Sequence, residues 1–357
     1  MKQCAVTGGN GFVGSNVVRQ LLERDYEVIA LVGADLGLEN LEGLPVKIRE
    51  VDLLDAAGVR AALRGVRRVV HTAACYAFWS PDPGHVYRVN VLGTRHVMEA
   101  ARDIGFEKVV HTSSIAAVSP GLGIGPSHAG DENSVLDLSR FRGHYKMSKS
   151  MAETVALRFA AQGLPVSIVY PTTVLGPGDR RPTPTGEMIV HYLNGHMKMY
   201  VALHQNLVDV RDVAVGHVLA LERGQPGGRY VLGGDNLTMR ELLDALAELT
   251  GIPAPRLALP PALLGALGRV NEWISDHVTG RPPLIPREAA LHARDSRRVE
   301  PTHATRELGY RWRPARDVVA GAVAWFVAEG HCKPGYLRRI ESHGVLRERL
   351  SELSEPA

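Results

Sequence analysis

An α/β fold, a doubly wound parallel sheet of the Rossmann type with a smaller, mostly helical C-terminal substrate region, is predicted by three observations. A glycine-rich turn, Thr7-Gly8-Gly9-Asn10-Gly11-Phe12-Val13-Gly14, breaks an apolar run at the start of the 357-residue sequence. Short apolar runs return at Val28–Val32, Arg68–His71, Val109–His111 and Val166–Tyr170. Helix-length amphipathic stretches separate them, which is the pattern of parallel strands covered on both faces.

The first strand ends in the glycines, after which Phe12, Val13, Val17, Val18 and Leu21 recur at helical spacing. Gly8 suits a tight turn with unusual dihedrals. Gly11 lets the backbone approach phosphates without a Cβ in the way, and Gly14 lets the helix sit close on the sheet. Free amides and the dipole at that helix start favour an anion, so the turn predicts a dinucleotide pyrophosphate site. Residues 1–170 are assigned to the dinucleotide-binding domain, with 207–235 available to complete its sheet. After Pro171 the texture changes. Residues 171–205 are rich in Pro, Gly, His and Met, and 236–330 reads mainly as helices broken by prolines. The substrate-binding region is therefore assigned to 171–330, interleaved with the first and leaning over the strand ends. Residues 331–357 are charged and helix-patterned, and are expected to form an appendage outside the main fold.

Composition narrows the function class. With 45% hydrophobic and 22% charged residues, the chain reads as an ordinary globular protein. The formal net charge of +3 comes from dispersed arginines, which is no nucleic-acid signature. Cys4, Cys75 and Cys332 form neither a disulfide framework nor a metal pattern, which suits a reducing cytoplasm. No apolar run is long enough to span a bilayer, so a soluble cytoplasmic protein is expected. His191, His196 and His204 lack metal-ligand spacing, and no metal is expected. Ser113-Ser114 is not set in a nucleophile elbow, which argues against a hydrolase.

The apolar run Val109–His111 ends in Thr112-Ser113-Ser114, and about thirty residues on comes Tyr145-Lys146-Met147-Ser148-Lys149. On a helix Tyr145 and Lys149 share one face, separated by a rise of about 6 Å. The ammonium then favours phenolate and brings the phenol toward a useful acid–base range. Tyr145 can give a proton to a carbonyl oxygen receiving hydride, or take one from an alcohol losing it, and Ser114 can hydrogen-bond the same oxygen. That spacing alone arises by chance. Its conjunction with a glycine turn and a serine cluster, in that order, carries the reading.

Here the chain resembles the extended short-chain dehydrogenase/reductases, the family of nucleotide-sugar epimerases, dihydroflavonol reductases and 3β-hydroxysteroid dehydrogenases. The resemblance spans about residues 1–330. It rests on the glycine turn, Val51-Asp52-Leu53, His71-Thr72-Ala73-Ala74, Asn90-Val91-Leu92-Gly93-Thr94, Thr112-Ser113-Ser114, Tyr145 with Lys149, and Val210-Arg211-Asp212-Val213-Ala214. Within the family, Trp79 to Pro83, Pro171 to Asp179 and Arg181 to Gly186 are similar to the hopanoid-associated sugar epimerase group, also labelled dihydroflavonol-4-reductase-like. The resemblance implies an NADP- or NAD-dependent enzyme with Ser114, Tyr145 and Lys149 as catalytic residues. It implies cofactor contacts at Thr7, Gly8, Gly11, Phe12, Val13 and Gly14, at Asp52 and Leu53 beside adenine, at Ala73 and Ala74, at Thr112 and Pro171, and at Tyr145 and Lys149, the latter on the nicotinamide ribose. Homodimerisation through two long helices flanking the sheet is expected by analogy.

The cofactor preference stays open, because Val32 and Gly33 stand where the family places its NAD-type carboxylate and NADP-type arginine. Asp35 reads equally as a ribose ligand or a solvated loop residue. Ile115-Ala116-Ala117 leaves no acid after Ser114, which disfavours dehydration. Gln205-Asn206-Leu207 stands where nucleotide-sugar epimerases tend to carry a diphosphate-pairing arginine, and Arg180 and Arg181 are the substitutes on offer. Tyr76, Phe78 and Trp79 read either as an apolar substrate wall or as packing of their own loop. Leu263–Leu267 with Val270 and Trp273 reads as pocket lid or, more commonly, core helix. The expected function is hydride transfer between nicotinamide and a carbonyl or alcohol of a hydrophobic small molecule. The alternatives are a sugar epimerase working through a transient ketone and, least favoured, a non-catalytic dinucleotide sensor.

Overall fold

The computed structural model describes residues 2–34, 37–117, 143–259, 268–273, 275–280, 283 and 298–354. In chain order the strands are β1 (Lys2–Thr7), β2 (Tyr26–Val32), β3 (Lys47–Glu50), β4 (Arg68–His71), β5 (Lys108–Thr112), β6 (Val166–Pro171), β7 (Thr173–Leu175), β8 (Met199–Val201), β9 (His204–Asp209), β10 (Arg229–Leu232), β11 (Asp235–Thr238) and β12 (Leu257–Leu259). The helices are α1 (Phe12–Leu22), α2 (Ala56–Ala62), α3 (Pro83–Tyr87), α4 (Gly93–Ile104), α5 (His144–Ala161), α6 (Pro184–Leu193), α7 (Val210–Arg223), α8 (Met239–Thr250), α9 (Ala315–Ala328), α10 (Pro334–His343) and α11 (Val345–Ser354).

Seven strands form one parallel sheet in the order β10-β6-β5-β4-β1-β2-β3. The predicted α/β doubly wound architecture is therefore present. Its central strands are apolar on both sides because both faces are covered. One core joins Val6, Val28 and Val110 to Val17, Val18 and Leu21 of α1 and Val218 of α7. The other joins Ile29, Leu31 and Val109 to Val59 of α2, Val97 and Met98 of α4 and Phe159 of α5. Strand order reverses between β1 and β4, whose C-terminal ends stand level, Thr7 opposite His71 and His71 opposite His111. Ligands of such sheets bind in the crevice opened at that reversal.

Two features differ from the sequence reading. Strand β3, Lys47-Ile48-Arg49-Glu50, was not foreseen: it is a sheet edge, where charge is tolerated and blunts pairing with another chain. The C-terminal segment does not stand outside the fold. Helices α10 and α11 pack against α8, bury Ile340 and Leu346 in a third core with Leu242, Leu246 and Phe326, and tie Arg349 Nε to Asp317 Oδ1 at 2.9 Å. Its charges face outward, and a single stripe of apolar residues faces in. Ile340 is 3% exposed, so Ile340→Ala is expected to cost about 2–4 kcal/mol in urea unfolding, where an appendage would lose nothing.

Between β6 and α9 the second region also holds strands as well as helices. Strand β9 pairs parallel to β7 and antiparallel to β11, and β8 pairs with β12. Val270 and Trp273 are each 59% exposed, so they are not the core positions that their spacing suggested, while residues 263–267 lie outside the described residues.

Candidate active site

The glycine turn sits at the sheet reversal. Gly8 has φ +65°, and a Cβ there would stand 2.9 Å from the Ala73 Cα, so both conformation and the approach of the β4 turn require glycine. A Cβ on Gly14 would overlap the Gly8 carbonyl oxygen and lie 2.9 Å from Thr72 Oγ1. Helix and turn thus touch backbone to backbone. Gly11 is extended (φ −75°, ψ 174°), and no side chain caps the first turn of α1, which leaves the helix start open to an anion. Thr7 fastens the two turns. Its Oγ1 lies 2.7 Å from His71 Nδ1 and accepts the Ala73 amide at 3.2 Å, while Thr72 Oγ1 donates to its carbonyl at 2.6 Å.

Two asparagines absent from the expected site, Asn16 and Asn40, staple the loop after β7 onto this turn. Asn16 Nδ2 donates to Pro177 O at 3.0 Å, and Asn40 Nδ2 donates to Gly178 O at 3.0 Å and to Asn10 O at 3.2 Å. Asn10 Nδ2 in turn donates to Gly37 O at 3.1 Å. Farther out, Asp52 is exposed and accepts the Leu54 amide at 2.8 Å, and Leu53 is buried beneath Gly93. Ala73 is half-buried, Ala74 is exposed and Pro171 ends β6. Asp35 lies outside the described residues.

Helix α5 brings Tyr145 and Lys149 to one buried face, 8% and 4% exposed. Lys149 Nζ donates to the Thr112 carbonyl at 2.6 Å, so the helix is fastened to the end of β5 at the serine cluster. Burial pushes its ammonium down to about 8, an effect partly offset by Glu153 one turn on. The two serines divide. Ser113 is buried and donates to Glu153 Oε2 at 2.7 Å, whereas Ser114 is half-buried and its Oγ accepts the Ala116 amide at 3.2 Å. The short turn Ile115–Ala117 that Ser114 opens packs against α5.

An aromatic wall meets Tyr145. The ring of Tyr76 lies 4.7 Å from it, and that of Phe78 lies 5.9 Å away edge-on. Trp79 is half-buried on the same loop. Asn90 holds this loop: its Oδ1 accepts the Cys75 amide at 2.7 Å, and its Nδ2 donates to Cys75 O at 3.1 Å and to Ser148 Oγ at 2.9 Å. Ser148 Oγ donates on to the Tyr145 carbonyl at 2.8 Å. Asn90 sits in a π-helical turn, Arg88–Leu92, a local irregularity typical of functional positions. Asn90 opens the Asn90-Val91-Leu92-Gly93-Thr94 motif, whose spacing alone assigns it no place in the site.

Three buried imidazoles surround the lysine. Burial pushes His71 down to about 3 and His217 to about 4, and holds His111 well below its ordinary value. All three are neutral at physiological pH, leaving Lys149 as the positive charge at the strand ends. His217 donates from Nδ1 to Val213 O at 2.7 Å, so its Nε2 accepts the Thr112 hydroxyl at 2.9 Å.

Of the two candidate diphosphate partners, Arg181 is exposed and Arg180 is engaged elsewhere. Arg180 pairs with Glu329 at 2.5 Å and lies over the Trp325 ring. Asn206 is buried as a brace between Thr172 and Gly234, its Oδ1 accepting both at 2.9 and 2.8 Å. Among the described residues, no cluster of His, Cys, Asp or Glu is placed to hold a metal, and no helix is long and apolar enough to cross a membrane.

Comparison with known proteins gives the family and its relatives. Residues 4–233 match the NAD dependent epimerase/dehydratase family. A Synechocystis sp. protein provisionally named a dihydroflavonol 4-reductase is 39% identical over 332 residues, 92% of this chain and 95% of that one. Sterol demethylase protein B of Methylococcus capsulatus is 35% identical over 91% of this chain and 98% of its own. Cinnamoyl-CoA reductase 1 of Oryza sativa is 38% identical over 68% of this chain and 75% of its own. The crystal structure of gox2253 superposes with a TM-score of 0.82 at 38% identity, covering 93% of this chain and all of that one (100%). A nucleoside-diphosphate-sugar epimerase from Pseudomonas aeruginosa gives 0.77 at 27% identity, covering 93% and 99%.

Proposed function

The chain belongs to the NAD-dependent epimerase/dehydratase family, the extended short-chain dehydrogenase/reductases, and from that premise we propose that it is an NAD(P)-dependent reductase of hydrophobic, aromatic ketones. The observation that carries the proposal is the packing of Tyr76 and Phe78 around the Tyr145 ring, which makes the surroundings of the acid–base group apolar and aromatic. Relatives named for reduction of a dihydroflavonol and a cinnamoyl thioester support it.

The residues present fit a dinucleotide. An uncapped helix start and glycines that permit backbone contact only are what a pyrophosphate requires. In this reading Gly8, Gly11, Phe12, Val13 and Gly14 hold the pyrophosphate through main-chain groups, with Thr7 supporting the turn. Asp52 and Leu53 flank adenine, while Ala73, Ala74, Thr112 and Pro171 line the path to the nicotinamide. Bound nicotinamide supplies or accepts the hydride. Ser114 Oγ and Tyr145 Oη hold the substrate oxygen between them, and Tyr145 delivers its proton as negative charge builds there. Lys149 stabilises the resulting phenolate by its charge and meets the ribose. The neutral histidines beneath add no competing cation.

Two outcomes separate this reading from epimerisation. Purified protein mixed with NADH or NADPH and either a dihydroflavonol or an aryl ketone is expected to consume reduced cofactor, followed by absorbance. Inversion of a UDP-sugar without net cofactor consumption would replace the proposal by the epimerase reading. Tyr76→Ala is expected to raise KM for the aryl ketone about tenfold, the loss of one aromatic contact of ~1.4 kcal/mol, and kcat is expected to change less. An unchanged KM would return Tyr76 to a packing role.

A further inference from the structure

We propose that Glu153 is a positioning residue, the buried counter-charge that holds Lys149 as an ammonium and clamps the Thr112-Ser113-Ser114 turn to helix α5. The inference takes its catalytic consequence from the roles proposed for Tyr145 and Lys149. Its geometry stands apart from them. Lys149 and Glu153 lie one turn apart on the buried face of α5, and both reach the same strand end: Lys149 through the Thr112 carbonyl at 2.6 Å, Glu153 through the Ser113 hydroxyl at 2.7 Å.

Glu153 is completely buried, at 0% exposure, and an ionised carboxylate there needs donors. It has them. Ser113 Oγ reaches Oε2, Tyr170 OH reaches Oε1 at 2.7 Å, and Arg229 Nη2 approaches Oε1 at 3.3 Å while its Nε donates to the Tyr170 hydroxyl at 2.6 Å. Ser113 just past β5, Tyr170 of β6 and Arg229 of β10 therefore each contribute one group that favours negative charge, against the burial that holds the Glu153 carboxyl above its ordinary range.

The groups facing Lys149 make this charge matter. From β4, β5 and α7 come His71, His111 and His217, all neutral, and the Glu153 carboxylate is the acidic group acting on it among the described residues. Arg229 and Tyr170 lie beyond Glu153. With the carboxylate in place, burial still pushes Lys149 down to about 8. Without it, the proton would leave nearer neutrality, and the cation that tunes Tyr145 would be lost in the working range.

The test needs neither substrate nor cofactor, so a failed reductase assay leaves it readable. Glu153→Gln is made in the natural chain and in Lys149→Met, and urea unfolding is followed between about pH 6 and 10. The stability of the Lys149 chain relative to its Lys149→Met counterpart is flat below the folded-state value of the lysine. Above it, this difference rises, because the unfolded chain there binds the proton that the folded chain has released. With Glu153 present the rise is expected to begin near pH 8. With Glu153→Gln it is expected to begin about one pH unit lower, and with Glu153→Asp to return. An onset unmoved by Glu153→Gln overturns the proposal. Should that variant not fold, Ser113→Ala in the same two backgrounds is expected to lower the onset by a smaller step, and an unmoved onset there overturns the proposal equally.

Discussion

Tyr145→Phe is expected to lower kcat by about 10^2 to 10^4 while NAD(P) titration stays within about twofold of the natural chain. The phenyl ring keeps its place against Tyr76 and Phe78, so the variant removes the hydroxyl and leaves the wall intact. Helix α5 stays fastened by Lys149 at Thr112 and by Ser148 at Asn90, neither of which involves the phenol. What is lost is the group that donates the proton. Without it an alkoxide forms with only Ser114 to hydrogen-bond it, in a cleft walled by aromatic rings where unsolvated charge is costly. Steady-state kinetics with a fluorescence titration of the reduced cofactor separates the two quantities. A Tyr145→Phe protein that turns over normally would remove the phenol from the chemistry and with it the proposed function.

Much of the fold was legible because buried parallel strands write themselves as continuous apolar runs. β2, β4, β5 and β6 fall on Val28–Val32, Arg68–His71, Val109–His111 and Val166–Tyr170 for that reason. β3 escaped, since an edge strand with one side open needs no such run, and Lys47-Ile48-Arg49-Glu50 has the texture of a loop. The helical pattern of α10 and α11 was legible but their packing was not: charges dominate their composition, while the apolar residues that decide their place, Ile340 and Leu346, meet α8 far earlier in the chain. In the site, Tyr145 and Lys149 share a face because four residues make roughly one helical turn, a local rule readable from spacing. Glu153 lies on that same face one turn on. What periodicity could not reveal is that Ser113 after β5, Tyr170 of β6 and Arg229 of β10 meet its carboxylate. The clamp of Asn90 on Cys75 and Ser148 is hidden in the same way, because its partners are separated by 15 and 58 positions in the chain.

The glycine turn makes the sharpest separation between folding and binding, because its glycines are crowded to different degrees. Gly14→Ala is expected to destabilise the chain by about 1–3 kcal/mol or more and to abolish cofactor binding. Its Cβ would stand 2.8 Å from the Gly8 carbonyl carbon and against the oxygen, both main-chain atoms, so α1 must move away from the turn that it closes. Gly11→Ala meets only the Gly8 oxygen at 3.2 Å, and φ −75° is open to any residue, so its melting temperature is expected to stay within a few degrees of the natural chain. If the open helix start receives a pyrophosphate, the same small side chain nonetheless obstructs the anion, and Gly11→Val obstructs it more. Affinity for NAD(P) is then expected to fall about tenfold in the first and a hundredfold or more in the second, measured by calorimetry on protein of unchanged stability. Affinity that tracks stability across Gly14→Ala, Gly11→Ala and Gly11→Val would mean that the turn only holds the fold together. Affinity that falls at Gly11 while stability does not would mean that the phosphates lie against it.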